Sequence, residues 1–134
     1  MMTTARPFLM FQDGDAQAAL DLYFATFPDS QMVRVERYAA GEPGAEGTIK
    51  VAVFTLCGRE FMCSDSPIKH DFSFTPSNST FVDFESEVEL ERTFGALSEG
   101  GQVLMPLNNY GFSQCFGWLN DRFGVSWQLN LPAA

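Results

Sequence analysis

The last apolar segment of the chain alternates hydrogen-bonding and apolar side chains, which is the pattern of a strand with two different faces. One face holds Ser126, Gln128 and Asn130, and the other holds Trp127, Leu129 and Leu131. We expect the apolar face to pack on a helix and the polar face to line a pocket, where its hydroxyl and amides could orient a ligand. A plain solvent-exposed face is the alternative interpretation.

The same alternation in the other apolar segments supplies further candidates for lining a pocket. They are Phe8, Met10, Gln12, Glu60, Met62, Ser64, Phe81, Asp83 and Trp118. A loop containing Asn108, Asn109, Tyr110 and Phe112 is the candidate for a mobile pocket wall. Aromatic residues at strand spacing are also typical of an ordinary core, and the loop could instead contact a second subunit.

Cys63 and His70 are the residues from which a nucleophile could be built, since an imidazole beside a thiol favours the thiolate. Buried cysteine usually behaves as a small apolar residue, however, and Cys63 falls on the strand face opposite to Met62. A surface or lid position is the alternative for His70. Together with Cys57 and Cys115 the cysteines are odd in number and form no C-x-x-C pair, so we expect three free thiols.

The predicted elements that position these residues follow the same order twice, which is strand, helix, strand, strand, strand. In the first repeat, the turn Asp13–Gly14–Asp15 can cap a helix that Pro28 ends. The predicted elements are a strand over Phe8–Gln12, a helix over Ala16–Phe27, and strands over Met32–Ala39, Ile49–Leu56 and Glu60–Ser64.

The second repeat follows a polar connector. Ser86 and Glu89 form a capping box at the start of its helix, and Gly100 and Gly101 mark the end. The predicted strands are Thr80–Phe84, Gln102–Met105, Cys115–Asn120 and Val125–Leu131.

The predicted fold is α+β, with two tandem βαβββ modules in a single domain. The modules cover about residues 5–66 and 79–132, and the connector covers about residues 67–78. Several strands are apolar on both faces, and helices can cover only one of them. The other face must therefore curve around a cup-shaped cavity or meet a partner subunit.

The charge balance excludes several classes of partner. The 134 residues hold 8 Lys and Arg against 17 Asp and Glu, and the net charge of −9 repels phosphate backbones and anionic lipids. No segment has the roughly 18 apolar residues that span a bilayer, and the N-terminus shows no apolar signal-peptide core. We therefore expect a cytoplasmic protein without nucleic-acid or membrane partners.

Several segments resemble the PhnB-like branch of the vicinal-oxygen-chelate superfamily, which includes glyoxalases, extradiol dioxygenases and bleomycin resistance proteins. They are Pro7–Phe11, Ala18–Phe24, Phe61–Ser66, Met105–Ser113 and Asn120–Trp127. The resemblance implies paired βαβββ modules with a cup-shaped site in each, a small-molecule ligand, and a homodimer. Many members carry the label 3-demethylubiquinone-9 3-methyltransferase.

The resemblance also implies where a metal would bind, because metal-dependent members take His and Glu ligands from the first and last strands of each module. The matching positions here are Phe8, Met62, Ser79 and Gln128. Phenylalanine and methionine are not ligands for hard divalent cations, and the other two are weak. We therefore expect no metal and no other cofactor.

A methyltransferase would normally hold S-adenosylmethionine at a glycine-rich turn between a strand and a helix. Neither predicted helix begins in such a turn, and the cluster Gly41–Gly47 falls in a hairpin loop. We therefore expect a small-molecule pocket protein that works without a metal. A non-catalytic protein that sequesters an apolar or aromatic compound is the alternative, methyl transfer is a weaker one, and the sequence leaves open whether the chain is an enzyme.

Overall fold

The computed structural model describes residues 2–134 of the chain, which divides between Ser73 and Phe74 into two compact units. Each unit holds one helix and one four-stranded mixed sheet, in the order strand, helix, strand, strand, strand. The predicted α+β class with two βαβββ modules is therefore confirmed. Within residues 2–134, neither helix has the length and apolarity needed to cross a membrane.

The first unit places its first and last strands side by side. Its elements are β1 (Phe8–Phe11), α1 (Ala16–Thr26), β2 (Gln31–Arg37), β3 (Ile49–Leu56) and β4 (Arg59–Asp65). The sheet order is β1, β4, β3, β2, with β1 parallel to β4 and the other neighbours antiparallel. This order brings the candidate pocket residues of β1 and β4 next to one another.

Helix α1 is fixed by a distant strand rather than by its own N-cap residue. Asp15 of the predicted turn is the N-cap residue, but its side chain makes no capping hydrogen bond. Instead, the buried carboxylate of Asp65 accepts the Ala16 amide at 3.0 Å and the Ile49 amide at 2.9 Å. Burial, followed by the carboxylates of Asp13 and Asp65, raises the pKa of Asp15. The end of β4 thus anchors α1 on the sheet.

Aromatic packing identifies the face of the first sheet that α1 covers. Phe24 of α1 lies edge-on to Phe54 of β3 with ring centroids 6.1 Å apart, and Phe54 stacks on Phe61 of β4 at 5.6 Å. Because side chains alternate along a strand, the adjacent Val53 and Met62 project from the opposite face. We call this opposite face the helix-free face of the first unit.

The second unit repeats the topology of the first. Its elements are β5 (Ser79–Asp83), α2 (Glu87–Ser98), β6 (Gln102–Asn108), β7 (Cys115–Asn120) and β8 (Ser126–Leu131). The sheet order is β5, β8, β7, β6, with β5 parallel to β8 and the other neighbours antiparallel. Both strands next to β8 therefore contribute to any site built around it.

Helix α2 covers the face of the second sheet from which Trp127 and Leu129 project. A Cβ atom on Gly117 would collide with the ring of Phe94 in α2, so helix and sheet are in direct contact there. Leu129 lies opposite Gly117 in register, and both it and Trp127 are buried. The helix-free face of the second unit carries Ser126, Gln128 and Asn130.

Some boundaries differ from the predicted ones. Ser86 caps α2 by accepting the Glu89 amide at 3.3 Å, as predicted. Strand β6, however, continues past the predicted end at Met105 to Asn108, because Pro106 lies at an irregularity in the register, where a missing N–H is tolerated. The predicted loop is correspondingly shorter.

Candidate small-molecule site

A row of hydrogen-bonded side chains crosses the helix-free face of the second unit. Gln128 Nε2 donates to Ser79 Oγ at 2.6 Å, Trp118 Nε1 donates to Ser126 Oγ at 2.9 Å, and Asn130 Nδ2 donates to Asp83 Oδ1 at 2.8 Å. The residues come from β5, β7 and β8, and we call these six residues the polar row. The predicted polar face of β8 is thus joined to both neighbouring strands.

The polar row has hydrogen-bonding capacity left for a ligand. Ser79 and Ser126 act as acceptors in the row, so each hydroxyl keeps its own hydrogen to donate. Asn120 lies opposite Ser126 in register. Its side-chain oxygen Oδ1 is buried and has no hydrogen-bond partner among residues 2–134. An unpaired buried acceptor costs about 1–3 kcal/mol, so a donor from a ligand or a water would be stabilising there.

Four aromatic rings cluster beside the polar row. The ring centroid of Phe116 lies 5.0 Å from that of Phe112 and 6.1 Å from those of Phe81 and Tyr110. Phe81, Tyr110 and Phe112 are 52%, 40% and 57% exposed, whereas Phe116 at their centre is buried. We call these four residues the aromatic cluster. Exposed apolar groups that lie together are typical of a binding surface.

The loop predicted to form a pocket wall contributes the rings of Tyr110 and Phe112 to this cluster. The side-chain oxygens of its asparagines bond to the loop's own backbone. Asn108 Oδ1 accepts the Asn109 amide at 2.7 Å, and Asn109 Oδ1 accepts the Gly111 amide at 2.8 Å. Tyr110 and Phe112 stack with centroids 6.4 Å apart. The loop therefore presents aromatic surface, while its asparagine carbonyls close two turns.

The first unit presents a less polar set on its own helix-free face. Phe8 lies opposite Met62, and Met10 lies opposite Ser64. Phe8 is 52% exposed, like Phe81 of the second unit. Glu60, at the end of this face, forms an ion pair with Arg6 at 3.3 Å.

The side chain of Gln12 hydrogen-bonds to the backbone of the connector. Its Nε2 donates to the Phe72 carbonyl at 2.6 Å, and its Oε1 accepts the His70 amide at 2.6 Å. Both polar ends of this predicted pocket residue therefore hold the backbone of residues 70–72 beside the end of β1.

Cys63 and His70 do not form a nucleophilic pair, so that hypothesis is wrong. Cys63 is fully buried, and burial, assisted by the Asp65 carboxylate, raises the pKa of its thiol to about 12. His70 instead contacts Ser66 Oγ through Nε2 at 3.2 Å and stacks on Phe72 at 4.8 Å. A thiol with this pKa stays protonated at neutral pH and is a poor nucleophile. All three cysteines are free, as predicted.

Three members of the site were not among the predicted pocket residues. Phe116 and Asn120 lie two residues before and after Trp118, so the alternation along β7 was a signal that could have identified them. The sequence predicts Ser79 only as a position at which the resemblance implies a metal ligand. It is the first residue of β5, one residue before the predicted start of that strand.

The four positions at which the resemblance implies metal ligands have other contacts. Phe8 and Met62 lie opposite each other and are apolar, while Ser79 and Gln128 hydrogen-bond to each other. Among residues 2–134, no three His, Cys, Asp or Glu side chains lie close enough together to form a metal site. Hard divalent cations prefer carboxylate ligands and borderline ones such as zinc accept imidazole, and these four positions supply neither group.

The paired βαβββ units define the class of protein, which is the glyoxalase or vicinal-oxygen-chelate fold. Fosfomycin resistance protein FosX of Listeria monocytogenes aligns over 97% of this chain and 92% of its own, at 13% identity and a TM-score of 0.65. A glyoxylase/bleomycin resistance protein/dioxygenase domain of Frankia aligns over 98% of both chains, at 14% identity and the same TM-score.

Within this class, the chain belongs to the family described as 3-demethylubiquinone-9 3-methyltransferase, which residues 3–130 match. It is a PhnB-like member, as predicted. A PhnB protein of Bacillus cereus is 48% identical, with 96% of this chain and 99% of that chain covered and a TM-score of 0.93. Protein YjdN of Escherichia coli is 26% identical over 117 residues, which are 87% of this chain and 78% of that protein.

Proposed function

We propose that the chain binds a small aromatic molecule on the helix-free face of the second unit. The observation that carries this proposal is the position of the aromatic cluster beside the polar row. Exposed rings supply a surface on which a flat ligand can stack, and stacked aromatic pairs contribute about 0.5–1.5 kcal/mol beyond the buried area. A few convergent polar groups beside an apolar surface are typical of ligand sites.

Within this site, the polar row fixes the orientation of the ligand. The hydroxyl hydrogen of the half-buried Ser79 is suited to a ligand acceptor, such as a carbonyl or phenolic oxygen. The unpaired oxygen of Asn120 is suited to a ligand donor. A ligand with a ring and an adjacent oxygen that both donates and accepts, as in a phenol, satisfies both requirements.

We propose binding rather than methyl transfer as the activity. A helix N-terminus is the usual place for an anionic cofactor group, because its first amides are unpaired. In α1, the Ala16 amide is bound by the Asp65 carboxylate, and in α2 the Glu89 amide is bound by Ser86. A protein oxygen therefore already occupies the amides at both helix starts. The four positions implied for metal ligands hold no carboxylate or imidazole, which favours a metal-independent site.

The proposal includes a homodimer in the cytoplasm. Ile68 and Phe72 of the connector are 64% and 62% exposed, and large exposed apolar side chains are typical of protein interfaces. Sedimentation equilibrium would measure the mass of the particle in solution. A monomer at all concentrations would contradict the dimer without affecting the ligand site.

A fluorescence titration with 1-naphthol tests the ligand site, because Trp118 lies in the polar row and would report a nearby ring. Phe81→Ala removes a ring of the aromatic cluster, and Phe8→Ala removes an equally exposed ring at the matching register position of the first unit. We expect Phe81→Ala to weaken binding about three- to tenfold and Phe8→Ala to leave it unchanged. Equal effects of both changes, or no saturable binding, would contradict the proposal.

A further inference from the structure

A cavity lies in the first unit and shares no lining residue with the proposed aromatic site. It has a volume of about 250 Å³ and is lined by Arg34, Glu36, Val51 and Val53, together with Val35 and Ala52. Drug-sized ligands occupy pockets of roughly 300–1,000 Å³, so this cavity suits a smaller molecule. Its walls are two adjacent strands, β2 and β3.

The strand register places the charged side chains of this cavity on one face. Arg34 lies opposite Val53 and Glu36 lies opposite Val51, and side chains directly opposite in an antiparallel pair share a face. Val53 projects from the helix-free face, because its neighbour Phe54 packs on α1. A register shift between Met32 and Arg34 interrupts the pairing just before this point.

Arg34 has unused binding capacity. No hydrogen bond or ion pair joins its guanidinium to any of residues 2–134, although the chain has more than twice as many acidic as basic residues. Other basic side chains of the first unit do have partners, such as Arg6 with Glu60 and Lys69 with Asp13. A guanidinium presents a planar pair of donors that matches a carboxylate.

Glu36 narrows the class of anion that this cavity could accept. It lies two residues beyond Arg34 on the same face and lines the same cavity. A second negative charge on a ligand would approach this carboxylate and be repelled, and the net charge of −9 adds to the repulsion. Val51 and Val53 supply an apolar floor for the uncharged part of the ligand.

We infer that the cavity lined by β2 and β3 binds a small monocarboxylate with an apolar body, and that Arg34 pairs with its carboxylate. This site goes beyond the proposed aromatic site, which lies in the other unit and uses none of these residues. The two sites can therefore be tested separately.

Titration of amide resonances with benzoate tests the inference, because benzoate carries one carboxylate on an apolar ring. Concentrations up to about 20 mM are suitable, since a ligand this small is expected to bind in the millimolar range. We expect saturable shifts in residues 34–36 and 51–53. Arg34→Gln should weaken benzoate binding at least about tenfold, because it removes a charge-assisted pair.

Two comparisons make this result specific. Arg59 also lacks an ion pair among residues 2–134 but does not line the cavity, so Arg59→Gln is the matched control and should leave binding unchanged. The dianion phthalate should bind more weakly than benzoate, and Glu36→Gln should reduce that difference. Shifts confined to residues outside 34–36 and 51–53, equal binding of neutral benzyl alcohol, equal losses in both arginine variants, or no saturation would overturn the inference.

Discussion

The side-chain amide of Gln128 donates a hydrogen bond to the hydroxyl of Ser79 at 2.6 Å, across the parallel pair β8 and β5. The preceding residue of β8, Trp127, projects to the other side of the sheet and is buried beneath α2. Adjacent residues of one strand thus belong to two environments, a half-buried ligand face and a closed core. Substitutions at these two positions should have opposite effects on binding and stability.

Gln128→Ala should change ligand binding more than stability. The side chain is half-buried and makes one hydrogen bond, so its loss should lower the free energy of unfolding by about 1 kcal/mol or less. Without its amide, the Ser79 hydroxyl is no longer held with its hydrogen toward a ligand, and affinity for 1-naphthol should fall by about 1 kcal/mol or more. Urea denaturation and calorimetric titration measure the two effects, and unchanged affinity would remove Gln128 from the site.

Trp127→Ala should produce the opposite result. It empties a large volume in the core and removes the indole donor that bonds the buried Asp121 carboxylate at 3.0 Å. We expect a loss of about 3–5 kcal/mol in the free energy of unfolding. Trp127→Phe keeps part of the aromatic volume, so its free energy of unfolding should fall less than that of the alanine variant. A loss below about 1 kcal/mol in the alanine variant would contradict the assignment of this face to the core.

Two glycine substitutions in the second unit should have opposite signs. Gly117→Ala introduces a methyl group where Phe94 and Leu107 already lie, and overpacking of this kind costs about 1–3 kcal/mol. Gly95 is an exposed residue inside α2 with no neighbouring atom within 4 Å of an added Cβ. Gly95→Ala should therefore stabilise the protein by about 0.5–1 kcal/mol. Thermal unfolding compares the two, and a stabilising Gly117→Ala would contradict the close contact of α2 with β7.

The thiol of Cys63 should make stability depend on pH in the alkaline range. Burial raises its pKa from 9.0 to about 12 in the folded state. Below pH 9 both states keep the proton, but above it the unfolded state ionises first. The free energy of unfolding should therefore fall as pH rises from about 9 to 12, by up to about 1.4 kcal/mol per unit.

Cys63→Ala lacks this contribution, so its free energy of unfolding should fall less steeply over the same range. Urea denaturation at several alkaline pH values measures both slopes. Equal slopes in the two proteins would show that the thiol is not shielded from ionisation in the folded state.

The two faces of β8 could be predicted from the sequence because a helix covers only one of them. Apolar side chains therefore mark the covered face, and polar side chains mark the other. The contacts of Asp65 could not be predicted in this way. Its partner Ala16 lies 49 residues away, and no local pattern indicates that a strand end rather than Asp15 will accept a helix amide. The contacts of Gln12 could not be predicted for the same reason, since its partners lie 58 and 60 residues along the chain.

The aromatic cluster was predicted only in part. Phe81, Tyr110 and Phe112 were among the pocket candidates, but sequence spacing does not reveal that a loop folds back over a neighbouring strand. Phe116 joins them because β7 and the loop before it meet on the same face of the sheet. Local periodicity thus identifies faces, whereas the grouping of residues on a face depends on strand order.

A crystal structure with bound 1-naphthol tests the central claim most directly, because it locates the ligand rather than inferring its position. We expect the ring to lie against Phe81 and Phe112, with the naphthol oxygen within hydrogen-bonding distance, about 2.5–3.0 Å, of the Ser79 hydroxyl. A ligand bound elsewhere, such as against Phe8 and Met62 in the first unit, with the second unit's helix-free face empty, would contradict the account.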